Sequence, residues 1–118
     1  MRNILSILVV TLLLAGCSSV KRNQKFLVSG NFDDAIALAV KKLKKDKASE
    51  KNDPHISLLE EAFKKASEED IRRIDFLKKD KNPANIRSLY YSYLDLEYRQ
   101  ELIRPLLPLY SASLGRNA

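Results

Sequence analysis

Apolar residues fall into two regimes along this chain. Ile4 to Leu14 is an almost unbroken apolar run interrupted only by Ser6 and Thr11, whereas from Lys21 onward apolar side chains recur every third or fourth position among charged ones. The second spacing is that of amphipathic helices. No later segment alternates with period two over a useful length, and the whole chain has three glycines, so strands are poorly supported. A short helix from Lys21 to Ser29 would turn Phe26 inward and stop at Gly30, which forms a turn with Asn31. The next helix runs from about Phe32 to Asp46 with Phe32, Ile36, Ala39, Val40 and Leu43 on one face. Asp33 and Asp34 near its start and Lys41, Lys42, Lys44 and Lys45 near its end both suit the helix macrodipole.

Lys47 to Asn52 is polar and reads as a loop, after which Asp53 and Pro54 read as an N-cap with proline in the first turn. Ile56, Leu59, Phe63, Ala66, Ile74 and Leu77 can share one face of a helix reaching Lys79; Ser67 and Asp70 form a possible capping pair inside it, and one long helix is the favoured reading. Asn82 and Pro83 repeat the cap-plus-proline signal and open a helix from about Ala84 to Ile103, which carries Ile86, Leu89, Tyr90, Tyr93, Leu96 and Ile103 until Pro105 ends or kinks it. The predicted fold is all-α, a short antiparallel array of helical hairpins. Pro105 to Tyr110 is an apolar, proline-punctuated stretch that folds back on the helices, binds a partner, or leads into a longer repeat array; Ser111 to Ala118 is expected to fray.

The first regime has a different meaning. Met1, Arg2 and Asn3 give a positive start, and the apolar run is too short to span a bilayer, which takes roughly 20 apolar residues. It ends in Leu14, Ala15, Gly16, Cys17, which resembles the lipobox of bacterial lipoprotein precursors at all four positions. Small residues at Ala15 and Gly16 let the backbone enter a peptidase, and the Cys17 thiol is a soft nucleophile suited to taking a diacylglyceryl group. The resemblance implies thioether lipidation of Cys17, cleavage between Gly16 and Cys17, and often acylation of the freed amine. Two or three acyl chains make such an anchor stable. With Ser18 and Ser19 after the cysteine rather than an aspartate, it also implies the periplasmic side of the outer membrane, the plasma membrane being the alternative. The expected organisation is a signal peptide over 1–16, a lipidated flexible tether over 17–23, a helical domain over 24–104 and a tail over 105–118.

Gly30, Asn31, Phe32, Asp33, Asp34, Ala35, Ile36 is similar to the centre of a tetratricopeptide repeat. In that motif glycine turns the chain between two helices and a small alanine lets them approach closely, a role that would fall to Ala35. The likeness covers a fraction of one repeat, and no second repeat follows at a period near 34 residues. A tetratricopeptide-like hairpin and an unrelated small bundle both stay open.

Charge and residue inventory narrow the function. The chain carries +6, and +5 without the segment that holds Arg2. An exported protein does not normally meet nucleic acid, so the basic balance points to anionic lipid, lipopolysaccharide or cell-wall polymer, or to solubility alone. His55 is the single histidine, and its place after Pro54 at a helix start suggests a solvent-facing or capping role. Glu60, Glu61, Glu68, Glu69 and Asp70 interleave with Lys64, Lys65, Arg72 and Arg73 at the spacing of ion-paired helix faces. No glycine-rich phosphate loop exists, and neither an enzyme, a cofactor nor a metal is expected. Tyr90, Tyr91, Tyr93 and Tyr98 share a helix with Arg87 and Arg99, and tyrosine with arginine dominates binding hot spots. Tyr90 and Tyr93 are expected to pack in the core; Tyr91, Tyr98, Arg87 and Arg99 are the candidate partner-binding residues. The expectation is a membrane-anchored helical scaffold that binds another protein, with envelope binding through the basic helices as the alternative.

Overall fold

The computed structural model describes residues 19–118. The signal peptide expected over 1–16 and the Leu14–Cys17 motif lie outside the described residues. The chain is an all-α antiparallel helical array with one small two-stranded ribbon near its C-terminus.

Helix α1 covers 19–28. Residues 19–23, expected as flexible tether, are therefore helical, and Asn23 is fully buried. The helix closes on a reciprocal C-terminal cap, with Asn31 N–H reaching back to the Phe26 carbonyl at 2.8 Å and Gly30 N–H to Leu27 at 3.2 Å. Gly30 takes φ +80° in that cap, and no atom lies within 4 Å of where its Cβ would stand. Glycine is needed here for its torsion, not for space.

Helix α2 spans Phe32–Lys45 and buries Ala35, Ile36, Leu38, Ala39, Val40 and Leu43. After it, Asn52 amide N–H groups donate to the Asp46 carbonyl at 2.8 Å and the Lys42 carbonyl at 3.3 Å, and Asp46 Oδ1 accepts from the Ala48 and Ser49 amides. These bonds satisfy the end of α2 and give the polar connection a defined path, finished by a 3-10 turn at Glu50–Asn52. Helix α3 follows at once as Asp53–Asp80, unbroken at Ser67 and Asp70. Alanines on both helices, Ala35 and Ala39 on α2 and Ala62 and Ala66 on α3, join one apolar cluster with Ile36, Leu43, Ile56 and Leu59. Small side chains let the two backbones approach closely there.

Helix α3 ends at Lys81, whose φ of 50° is left-handed. Asn82 Oδ1 accepts from the Ala84 amide at 3.0 Å, a 3-10 turn covers Pro83–Asn85, and helix α4 runs Ile86–Ile103. Its start comes slightly later than the proline suggests because the first turn is tighter than α-helical.

The tail is not frayed. A 3-10 turn at Arg104–Leu106 ends α4, and strands β1 (Tyr110–Ser111) and β2 (Arg116–Asn117) pair antiparallel across a turn containing Gly115 at φ +68°. Leu106 and Leu109 belong to the core cluster beside Leu102 and Ile103. Of the paths open to the proline-punctuated stretch, folding back is the one taken. Lys47 Nζ donates to the carbonyls of Leu106 and Pro108, both at 3.2 Å, and Arg116 pairs with Glu60 at 3.1 Å. Asp53 does not cap its own helix with its side chain: its carboxylate accepts from the Ser111 hydroxyl at 2.8 Å and from the Ala112 and Ser113 amides at 2.9 and 3.3 Å. Hydrogen bonding from Ser113, opposed by burial and joined by Ser111, lowers the Asp53 pKa below the ordinary 3.8.

Candidate functional site

Helix α4 packs by a narrow inward row. Leu89, Ser92, Leu96, Arg99 and Ile103 advance in alternating steps of three and four, which keeps them on one side, and all are buried or half-buried. Tyr90 and Tyr93 are not on this row. They were expected in the core, yet Tyr90 is 60% exposed, and Tyr93 also faces solvent, because Leu89 and Leu96 take the inward positions.

The outward side carries two parallel rows. One is Arg87, Tyr91, Leu94 and Tyr98; the other is Ile86, Tyr90, Tyr93 and Glu97, and every one of these residues is exposed. Tyr98 is the most open of the tyrosines, at 65%. The Tyr90 and Tyr91 rings meet edge to face with centroids 5.8 Å apart, so neighbouring anchors brace each other. Lys78 of α3 sits over the Tyr93 ring, Nζ 5.6 Å from its centroid, and the Tyr93 hydroxyl holds the lysine pKa above its ordinary value. Beside these rows an open depression of about 560 Å³ is lined by Pro83, Ala84, Ile86, Arg87, Tyr90 and Tyr91.

Tyr91, Tyr98 and Arg87 thus share one exposed row. Arg99 does not join them: it is 7% exposed and lies on the inward row. Its Nε and Nη2 donate to the two Asp33 oxygens at 2.7 and 3.2 Å, while Nη1 donates to buried Asp70, which also takes Arg73 Nη1 at 3.2 Å. Asp33 above all, opposed by burial and supported by Asp70, raises the Arg99 pKa above the usual guanidinium range. Arg99 is the tie between α2, α3 and α4 rather than a surface contact. Sequence spacing held a signal for it, since Arg99 falls seven positions after Ser92 on the inward row.

His55 likewise departs from its expected place. It is 1% exposed, and its Nδ1 lies 3.2 Å from the side-chain amide of buried Asn23, a hydrogen-bonding distance. Burial, with Lys42 adding repulsion, pushes its pKa below the ordinary 6.5. This pair docks α1 onto the start of α3. Among the described residues no group of three or more His, Cys, Asp or Glu side chains is placed to hold a metal ion, and no helix is long and apolar enough to cross a membrane.

The outer side of α4 presents an aromatic face edged by Arg87 and by Glu97. No family model, no curated protein and no solved structure matches the chain.

Proposed function

We propose that the protein is a bacterial envelope lipoprotein, anchored through Cys17 at the periplasmic side of the outer membrane, whose helical domain presents the outer face of α4 to another protein without performing catalysis. The observation that carries this reading is the exposed row Arg87, Tyr91, Leu94, Tyr98 beside Ile86, Tyr90 and Tyr93. Apolar and aromatic side chains gathered on one open face are the usual anchors of a protein interface, and a contiguous patch of that kind is uncommon on a surface with no partner. The anchoring half of the reading rests on Leu14, Ala15, Gly16 and Cys17.

Affinity capture of the C-terminally tagged protein from detergent-solubilised membranes tests the docking face. A stoichiometric protein that survives high salt and is released by Tyr91→Ala with Tyr98→Ala is the expected result. Recovery of a lipoprotein that holds no protein on this face, neither another chain nor a second copy of its own, or that holds only salt-labile lipid or cell-wall polymer, would contradict it. Palmitate labelling that disappears in Cys17→Ser tests the anchor separately.

A second reading, binding to an anionic surface, is favoured by one specific observation: Lys21, Arg22 and Lys25 are all exposed on α1, with only Ser18 and Ser19 between Lys21's neighbour Val20 and Cys17. Basic side chains that close to an anchored lipid contribute about 1 kcal/mol each on an anionic leaflet and fade with added salt.

A further inference from the structure

The outer face of α4 has the pattern that pairing with another helix requires. The steps along Arg87, Tyr91, Leu94 and Tyr98 are four, three and four, and Glu101 three positions further on brings the average to 3.5 residues per turn, the spacing at which one helix holds a constant seam against another. The inward row from Leu89 to Ile103 has the same alternation and is occupied by the rest of the domain. Helix α4 therefore carries a seam on each side, and among the described residues one is filled and one is open.

With Arg99 buried on the inward row, the exposed charge on α4 is sorted by end. Arg87 stands in the first turn, whereas Asp95, Glu97 and Glu101 occupy the second half. A twofold axis passing midway between Tyr91 and Leu94 would set a second α4 antiparallel to the first, each Tyr91 against the other copy's Leu94. Arg87 would then fall opposite Tyr98, between Glu97 and Glu101, so that cation meets aromatic face and carboxylates at both ends of the seam. A parallel pair would place Arg87 against Arg87 and acid against acid. The antiparallel pair also opposes the two macrodipoles. Glu101 pairs at present with Arg104 at 2.7 Å, but both are more than half exposed, and such a surface bond exchanges at little cost.

We infer that α4 docks antiparallel on α4 of a second copy of this chain, through Arg87, Tyr91, Leu94 and Tyr98. The inference rests on reading this face as a docking surface and names its occupant. A self-complementary patch used twice is what a twofold interface demands. The helices of the pair would then lie side by side in the order α3, α4, α4, α3.

Sedimentation equilibrium of the full lipidated chain in detergent, across a concentration series, tests this. A dimer is expected, and Tyr91→Glu with Leu94→Glu should return it to a monomer with an unchanged circular dichroism spectrum. Arg87→Glu alone should weaken the dimer about tenfold, and adding Glu97→Arg and Glu101→Arg in the same chain should recover most of that loss, as only the antiparallel register allows. A chain that stays monomeric at every concentration would overturn the inference; so would a dimer indifferent to the Tyr91 and Leu94 changes, or a charge exchange that gives no recovery. If the monomer still retains a different protein that Tyr91→Ala with Tyr98→Ala releases, the docking face stands and only its occupant is wrong. If it retains none, both fail together.

Discussion

The two halves of α3 live in different surroundings. Its first half lies among α1, α2 and the C-terminal segment, where Ile56, Leu59, Ala62 and Ala66 share one apolar cluster with residues from α2 and with Leu106 and Leu109. Its second half has α4 beside it and little else. From Ile71 to Tyr98 the one fully buried apolar residue is Ile74, and eight of the twelve large apolar side chains exposed among the described residues fall in that stretch. A small chain sustains one core, and here it is gathered at one end while the α3–α4 hairpin extends from it. Between the two regions sits the Arg99, Asp33 and Asp70 network. The contrast separates what holds the fold from what is offered to the outside: the core end supplies stability and the hairpin supplies surface.

Breaking the junction should have the largest effect. Arg99→Ala removes the buried partner of Asp70 and leaves it only Arg73, itself half exposed, so it should cost up to about 3–5 kcal/mol in urea unfolding, the loss expected when a buried ion pair is broken on one side. Replacing Asp70 and Arg99 together by alanine should cost clearly less than the two single losses added, because the second change removes the charge that the first one strands.

The core and the hairpin should then respond oppositely to the same kind of truncation. Ile56→Ala, at 1% exposure, should lose about 2–5 kcal/mol, whereas Tyr90→Ala should stay within about 0.5 kcal/mol. Equal losses at both sites would erase the distinction drawn between the regions.

Acid should loosen the core end first. The His55 pKa is lowered in the fold, so the unfolded chain takes up the proton more readily. Its contribution is complete above the ordinary 6.5 and is lost as the pH falls below that value. One such group changes stability by at most about 1.4 kcal/mol per pH unit, and His55→Gln should flatten the slope in thermal melts between pH 7 and 5. Asp53 has the same sign at lower pH. Its hold on Ser111 to Ser113 persists above 3.8 and is lost as its lowered pKa is crossed, releasing the C-terminal ribbon to faster amide exchange. A small gain belongs to the hairpin's own turn: Lys81→Gly, where φ is 50°, should raise stability by about 0.5–1 kcal/mol.

How much of this was legible in the sequence follows the range of the interactions. Helix α2 with its apolar face, the stop at Gly30, the single long α3 and the proline-marked start of α4 are local signals, carried by spacing and by turn residues, and each stands close to where the pattern placed it. The misplaced features depend on partners distant in the chain. Arg99 meets Asp33 across 66 positions, Asp53 meets Ser111 across 58, and His55 meets Asn23 across 32. No local composition announces such pairs. Helix α4 was misjudged for another reason: leucines and tyrosines are spread around it, so its apolar side chains alone do not choose a face, and the two fully inward positions between Leu89 and Ile103 are held by polar residues, Ser92 and Arg99. Of the candidate site, Tyr91, Tyr98 and Arg87 share an exposed row as their types suggested, while Arg99 belongs to the scaffold beneath them.

The most direct test of the division between the two regions is photo-crosslinking in intact membranes. A photoreactive residue placed at Tyr91, on the open face of the hairpin, is compared with one at Lys44, exposed on α2 at the core end. The account predicts a discrete protein adduct, a second copy of the chain included, from position 91 and none from position 44. Adducts from 44 with none from 91 would contradict it and move the working surface of the molecule to its core end.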